Sequence, residues 1–146
     1  MPIYWVVLLI ICIGSGILGL ISQRAEESSS TAGASTIASN MLVYRNALAE
    51  YARSNQTTTG TVQDTALALP SWYAHAPGVS GYVVSGLSYT YYLSPSEGLV
   101  AELVKMTDAS VAVGYVQAGR LISPIVGATG ITVPSVIPSG AAIAVQ

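Results

Sequence analysis

Three glycines in the stretch IGSGILGL have a spacing that could bind a nucleotide. Gly14, Gly16 and Gly19 match the G-x-G-x-x-G pattern of a dinucleotide-binding turn. That pattern binds a pyrophosphate only where a strand turns into a helix, with an acidic residue about 20 positions further on. Here no strand and turn precede the glycines, and Glu26 and Glu27 follow too soon. The sequence therefore predicts no cofactor.

A serine hydrolase triad is the second chemistry that the residue types allow. Ser71 or Ser80 can be combined on paper with His75, the only histidine, and with Asp64. A triad needs the histidine as general base, but no G-x-S-x-G elbow places either serine beside it. His75 is therefore favoured as a partly exposed loop residue or one with satisfied hydrogen bonds. A membrane-tethered hydrolase that uses His75 is kept only as a second alternative function.

Metal and nucleic-acid sites lack the residues they need. The chain has one histidine and one cysteine, Cys12, and its only adjacent carboxylates are Glu26 and Glu27, whereas a metal site needs several such ligands. Five Lys and Arg residues and a net charge of −2 provide no basic stripe for phosphates. We therefore predict a non-enzymatic protein with no metal site, no catalytic residues and no nucleic-acid partner.

Residues 1–22 have the features of a transmembrane anchor. The run from Ile3 to Ile21 contains no charged residue and no proline, and its helical length nearly matches a hydrocarbon layer of about 30 Å. The start MPIYW lacks the basic region of a signal peptide, and no small-x-small cleavage site follows the apolar run directly. An uncleaved single-pass anchor is therefore predicted, while the lone Arg24 beside it does not decide its orientation.

Small side chains form a stripe along the predicted anchor. On a helix these residues lie three and four positions apart, so they share one face. Helices associate in lipid where small residues allow their backbones to approach closely. The predicted membrane helix contact, with a partner or with a second copy of the chain, consists of Cys12, Ser15, Gly16 and Gly19.

An amphipathic helix opens the domain predicted for residues 37–146. Residues 23–36 before it are either a polar spacer or a continuation of the anchor helix. Asn40 and Arg45 are placed mostly off the apolar face, and the helix is expected to end near Ser54. The apolar positions alternate steps of four and three and are predicted to pack on the chain's own domain: Ile37, Met41, Tyr44, Leu48 and Tyr51.

Short strands predict a small antiparallel sheet with one or two packed helices, an α+β fold. One hairpin is expected to turn at Ser85-Gly86, with the side chains of Leu87, Tyr89, Tyr91 and Leu93 on one face of its second strand. Another is expected to join 111–116 to 121–122 near Ala118-Gly119.

Three further local patterns carry predictions. Ser94 to Glu97 matches a capping box that opens a helix, and Trp72 with Tyr73 is expected to pack an ordered turn. The apolar tail after Arg120 contains prolines and glycines, which favour extended edge strands over a second membrane span. We favour a tail that covers the chain's own sheet over one whose strand or surface patch binds a partner.

The order of these elements resembles that of type IV pilins and pilus accessory proteins. The segments MPIYWVVLLIICIGSG, SNMLVYRNALAEYARSN and LALPSWY are similar to those of the small PilM proteins of type IVb thin-pilus and conjugative-plasmid systems. These are distinct from the actin-like ATPase of the same name. The resemblance implies a protein of the bacterial inner membrane with its domain in the periplasm, acting as a scaffold in pilus assembly or pilin transport.

The resemblance also implies pilus assembly proteins or pilin as partners. A true pilin has a short basic leader and a glutamate near the start of its hydrophobic helix, and this sequence has neither. A minor pilin-like subunit of the fibre is therefore the alternative function.

Overall fold

The computed structural model describes the secondary structure of residues 3–146 and the side-chain environment of residues 29–146. The chain divides into two compact units, residues 1–32 and 33–146. Within residues 29–146 no helical segment is long and apolar enough to cross a membrane. The predicted anchor of residues 1–22, with the stripe formed by Cys12, Ser15, Gly16 and Gly19, lies outside these residues.

Residues 3–146 form two α-helices, a short 3-10 helix and seven strands, which confirms the predicted α+β class. Helix α1 spans Ile3–Ser54 and therefore includes residues 23–36. The 3-10 helix is Asp64–Ala66 and α2 is Leu99–Met106. The strands are β1 (Thr59–Thr61), β2 (Val79–Val84), β3 (Leu87–Tyr92), β4 (Val113–Gln117), β5 (Arg120–Ser123), β6 (Gly127–Thr132) and β7 (Ala142–Val145).

All seven strands form one antiparallel sheet in the order β1-β2-β3-β7-β4-β5-β6. Both predicted hairpins are confirmed. Their two-residue turns have positive φ at both positions, 47° and 85° at Ser85-Gly86 and 49° and 72° at Ala118-Gly119. Turns of this hand match the right-handed twist of the flanking strands, so they set the register of each hairpin locally.

Both faces of the sheet are buried at its central strands β3 and β7, which corrects the expected alternation along β3. Tyr89 and Tyr91 are buried on one face, but Ser88 and Thr90 are equally buried on the other, and Leu87 and Leu93 are about half exposed. The face that carries Ala142 and Ala144 belongs to the same core cluster as the buried residues of α1 and α2. These helix residues are Ala34, Ala38, Met41, Tyr44, Ala47, Leu48, Ala52, Leu99 and Leu103.

The opposite face of the sheet is covered by the segment between β6 and β7. Val133, Ile137 and Ala141 of this segment pack on Tyr91, Ile143 and other residues of that face. The favoured coverage of the sheet by the apolar tail is therefore confirmed. Strand β6 is an edge strand, as expected. The edge prediction is wrong for β7, which lies between β3 and β4 and is buried at all four residues because both faces of the central sheet are covered.

Helix α2 begins at Leu99 and not at the predicted capping box. Its N-cap is Gly98, which has φ 90° and makes no side-chain cap hydrogen bond. Leu99 and Leu103 are buried and anchor this short helix, whereas Met106 is 39% exposed. The position of its first turn follows from these two buried leucines rather than from the local cap signal.

A glycine allows α1 to approach the sheet closely. A Cβ added at Gly81 in β2 would lie 2.6 Å from Tyr44 Cε1 and 2.7 Å from Leu48 Cδ2. The missing side chain therefore makes room for two large residues of α1. This contact fixes the height of α1 above β2 and positions the loop segment described next.

Candidate functional site

One α1 side chain, Asn40, holds the segment of residues 62–78 against the helix. Its Nδ2 donates to the carbonyl oxygen of Ala74 at 2.7 Å. Its Oδ1 accepts from the hydroxyl of Tyr73 at 2.6 Å and from the backbone N–H of Ala76 at 3.1 Å. Asn40 is not among the residues of the hydrophobic core, as expected, but its amide satisfies loop groups that have no partner in a regular element.

His75 joins the same segment to strand β2. Its Nδ1 lies 2.6 Å from Asp64 Oδ2, and its Nε2 lies 2.7 Å from the carbonyl oxygen of Val79. A carboxylate and a carbonyl can only accept, so both bonds form fully when both ring nitrogens carry hydrogen. The ring also contacts Tyr44 edge-on at 5.0 Å between centroids. His75 thus has a structural role: its ring links this segment to β2, and both ring nitrogens have hydrogen-bond partners.

The geometry of His75 gives no support to the triad. Both ring nitrogens are occupied, and neither Ser71 nor Ser80 is among their hydrogen-bond partners. A general base needs a free nitrogen that can take the proton of the nucleophile. Within residues 29–146, no group of three His, Cys, Asp or Glu side chains is arranged to hold a metal ion.

Tyr44 is the buried centre of this cluster. Its side chain is 2% exposed and its hydroxyl is 3.5 Å from the carbonyl oxygen of Val62. Burial, together with the negative charge of Asp64, raises the pKa of Tyr44 to about 12. The same two causes raise the pKa of Tyr73 to about 12. Both phenols therefore remain neutral hydrogen-bond donors over the physiological pH range.

The tip of the segment exposes an aromatic side chain. Trp72 is 73% exposed, so the prediction that it packs the turn is wrong; Tyr73 alone turns inward to Asn40. The turn is closed by a hydrogen bond from the Tyr73 N–H to the Pro70 carbonyl at 2.9 Å. Shallow grooves on two sides of Trp72 are both lined by Val43 of α1. Tryptophan is enriched among the residues that dominate binding interfaces, so the surface around Trp72 is the candidate site.

A protein-family model described as PilM matches residues 8–145, which is nearly the whole chain. The chain belongs to the PilM family. No functionally curated protein matches it.

Two solved PilM structures are similar to this chain. The PilM protein from Escherichia coli B7A is 24% identical, with a TM-score of 0.62 over 80% of this chain and 93% of that one. The likeness shows that the two proteins share the fold. A PilM protein from Pseudomonas aeruginosa 2192 is 38% identical over 77% of this chain and 92% of that one, with a TM-score of 0.48. PilM membership indicates a pilus-related protein.

The predicted packing residues of this PilM-family chain all lie on one side of α1. Met41, Tyr44 and Leu48 are buried in the core shared with the sheet, and Ile37 and Tyr51 are partly buried against the same core. The predicted membrane stripe lies outside the described side chains. Tyr44, which belongs to this packing face, also contacts the ring of His75.

Sequence reasoning missed the roles of two site residues, Asn40 and the exposed Trp72, and the hydrogen bond of Arg45 elsewhere on α1. Arg45 lies outside the hydrophobic core, as expected, but it is half-buried and its Nε donates to Gln146 Oε1 at 3.0 Å. Burial lowers the pKa of Arg45. Asn40 precedes Tyr44 by one helical turn, a spacing that places the two on neighbouring surface and could have suggested a shared contact.

Alkaline pH is expected to destabilise the fold through Tyr44 and Tyr73. Above pH 10 the unfolded chain loses these phenolic protons, whereas the folded chain keeps them until about pH 12. The unfolded state then binds fewer protons, so the free energy of unfolding falls as pH rises. Each tyrosine contributes at most about 1.4 kcal/mol per pH unit, and less for the partly exposed Tyr73.

Tyr44→Phe tests this expectation, because phenylalanine keeps the ring and has no proton to lose. Urea unfolding from pH 7 to pH 11.5 should give a shallower alkaline decline for the variant than for the parent chain. At pH 7 both phenols are neutral in the folded and the unfolded chain. The difference in the free energy of unfolding between the two proteins then measures only the contribution of the Tyr44 hydroxyl. Parallel declines above pH 10 would contradict the role assigned to Tyr44.

Proposed function

We propose that this chain is a non-enzymatic scaffold component of type IV thin-pilus biogenesis, anchored in the bacterial inner membrane with its domain in the periplasm. The observation that carries the proposal is the PilM family match over residues 8–145. Systems of this kind include those of conjugative plasmids, so a link to conjugation is part of the proposal. Its partners are pilus assembly proteins or pilin.

The geometry of residues 29–146 supports binding rather than catalysis. The one histidine is fully engaged in structural hydrogen bonds, as is the amide of Asn40. The most exposed large hydrophobic side chain among these residues is Trp72, which lines two grooves on α1. Such a surface suits a protein whose work is to hold other proteins in place.

The anchoring part of the proposal rests on the apolar run from Ile3 to Ile21. Its length suits a bilayer, and its small-residue stripe suits close helix contact. In the proposed complex, Gly16 and Gly19 pack against a membrane helix of a pilus assembly protein or of a second copy.

Bulky residues in the stripe test the scaffold. Gly16→Ile and Gly19→Ile are expected to abolish co-purification of the chain with inner-membrane pilus components and to abolish piliation, because they block close backbone approach. Gly14→Ile is the matched control, since two positions along a helix turn it by about 200° from Cys12 to the opposite side. Intact complexes with both stripe variants, or equal loss with the control, would contradict the proposed contact.

A minor pilin-like subunit is the second candidate. The observation that favours it is the order of a long α1, Ile3–Ser54, followed by an antiparallel sheet, which matches the pilin layout. Shearing pili from cells and probing the purified fibres distinguishes the two functions. Stoichiometric recovery of this chain in the fibres would support the pilin, and its absence from them would reject it.

A further inference from the structure

A groove beside Trp72 combines an acidic, an aromatic and an amide side chain. It has a volume of about 280 Å³ and is lined by Val43, Asn46 and Glu50 of α1 and by Ala68, Pro70 and Trp72 of the facing segment. Within residues 29–146 the ion pairs are His75 with Asp64 and Lys105 with Glu102, so Glu50 has no basic partner there. One groove is therefore lined both by a carboxylate without an ion-pair partner and by an exposed indole.

We propose that this groove binds a basic side chain, arginine by preference, on a protein of the pilus system. A guanidinium stacks on an aromatic ring and donates to a carboxylate at the same time, which the indole of Trp72 and the carboxylate of Glu50 allow. The amide oxygen of Asn46 is a further acceptor for its N–H groups. That the partner belongs to a pilus system rests on the proposed function, whereas the chemistry of the groove does not.

The second groove at Trp72 indicates what accompanies the basic residue. It has a volume of about 400 Å³ and no charged lining residue; its walls include Ser39, Asn40, Val43, Trp72, Tyr73 and Ala74. Val43 and Trp72 line both grooves, so the two are neighbours along α1. Their α1 residues differ by about seven positions, or roughly 10 Å. The bound segment therefore places an apolar side chain roughly 10 Å from the basic one.

The absence of any cation from both linings decides the charge of the partner. Their single charged residue is Glu50, so an acidic segment would be repelled and a basic one attracted. In a polyproline II segment, residues three apart lie on the same side at about 9 Å. A segment with a basic and an apolar residue three positions apart matches the two grooves.

The binding test uses the full-length chain with Trp5→Phe, which leaves Trp72 as its only tryptophan. The probe is the peptide acetyl-Arg-Pro-Pro-Leu-amide, compared with a peptide that has citrulline in place of arginine and so keeps the shape without the charge. We expect a saturable change of Trp72 emission with the arginine peptide and a Kd about fivefold higher with citrulline. No saturable change, or equal Kd values, would overturn the proposal.

Matched variants locate the binding. Glu50→Gln is expected to raise the Kd of the arginine peptide about fivefold and to leave that of the citrulline peptide unchanged. Glu97→Gln removes an exposed carboxylate outside the groove and should leave both values unchanged. An equal effect of the two variants would mean unspecific attraction to a negative surface and would overturn the site. For Trp72→Ala, which lacks the fluorescent reporter, peptide binding is measured by NMR chemical-shift changes and is expected to be abolished. Val136→Ala, at a residue 56% exposed, should leave binding unchanged.

A photo-crosslinking amino acid at Val43, in cells making the full pilus system, tests the partner. We expect links to a pilus protein within a few residues of an arginine or lysine, lost with Glu50→Gln. Links to a second copy of the chain, or links unaffected by Glu50→Gln, would overturn the proposal. Charge-dependent peptide binding together with normal piliation in cells lacking the chain would reject the proposed function alone, and the reverse result would reject the groove alone.

Discussion

Gly114→Ala is expected to lower the free energy of unfolding by about 3 kcal/mol, the upper end of the usual cost of overpacking. Gly114 lies in β4, between β7 and β5. A Cβ at this position would clash with the carbonyl oxygen of Ile122 and lie 2.8 Å from its carbonyl carbon and 3.1 Å from Ser123 Cα. These are backbone atoms of β5, so the clash is relieved only by moving one strand away from the other.

The clash at Gly114 is expected to affect more than the contact between β4 and β5. Strand β6 lies outside β5 at the edge of the sheet. Separation of β4 from β5 therefore exposes Val116 of β4 and Leu121 of β5, which are paired with each other and buried. Urea unfolding of the full-length chain, followed by circular dichroism, measures the loss. The expected observation is a lower midpoint with little change in slope.

Gly33→Ala is the matched control for this substitution. Gly33 lies in α1, and an added Cβ there has no neighbouring atom within 4 Å. Alanine in a helix is favoured over glycine by up to about 1 kcal/mol, so this variant should be as stable as the parent chain or more so. A Gly114→Ala protein as stable as the Gly33→Ala protein would show that β4 and β5 are not as close as described.

Tyr44→Ala is expected to cost about 3–5 kcal/mol, the usual range for removing a large buried aromatic ring. The ring fills the space above Gly81, touches His75, and belongs to the core beneath α1. Its removal leaves a cavity that neither the helix nor the sheet can close, because Leu48 and Met41 already pack on either side.

Two comparisons separate the ring from its hydroxyl and from general effects. Tyr44→Phe should cost about 1 kcal/mol or less at pH 7, since the hydroxyl is 3.5 Å from its acceptor. Tyr115→Ala, at a tyrosine 39% exposed on β4, should cost less than Tyr44→Ala. A Tyr44→Ala cost below about 1 kcal/mol would contradict the central place given to Tyr44.

Hydrogen exchange extends the Tyr44→Ala experiment to the interaction surface. Loss of the ring removes the contact with His75, so the amides of Tyr73 and Ala76 should exchange faster, although their bonds to Pro70 and Asn40 do not involve Tyr44 directly. Unchanged exchange in this segment would mean that the hydrogen bonds of Asn40 and His75 hold it without the Tyr44 ring. The result decides whether the segment carrying Trp72 depends on the core beneath it.

Local signals in the sequence determined the elements whose structure depends on neighbours along the chain. The hairpins at Ser85-Gly86 and Ala118-Gly119 were predictable because a two-residue turn with positive φ sets its own register. The apolar face from Ile37 to Tyr51 was predictable because helical periodicity is written into the spacing of the residues. The sequence indicated a structural rather than a catalytic His75, because no residue pattern would use it in catalysis, but it left open whether the ring is partly exposed or hydrogen-bonded.

The tertiary structure decided what depends on residues far apart in the chain. Strand β7 entered the centre of the sheet because Ala142 and Ala144 fit beneath the helices while Ile143 and Val145 fill the opposite face, and no local pattern encodes its two partners. The two-sided burial of β3 follows from that same coverage.

Asn40, Arg45 and Trp72 depend on long-range packing in the same way. On the helix, Asn40 and Arg45 look like solvent-facing polar residues until the segment around Tyr73 and the side chain of Gln146 are laid against them. Trp72 looks like a core residue until Tyr73 takes the inward position. The sequence by itself thus determined the local elements, the absence of a recognisable catalytic pattern and the family resemblance. Only the tertiary structure decided which polar side chains are buried and which aromatic one is presented, because burial is a property of contacts that form after the chain has folded.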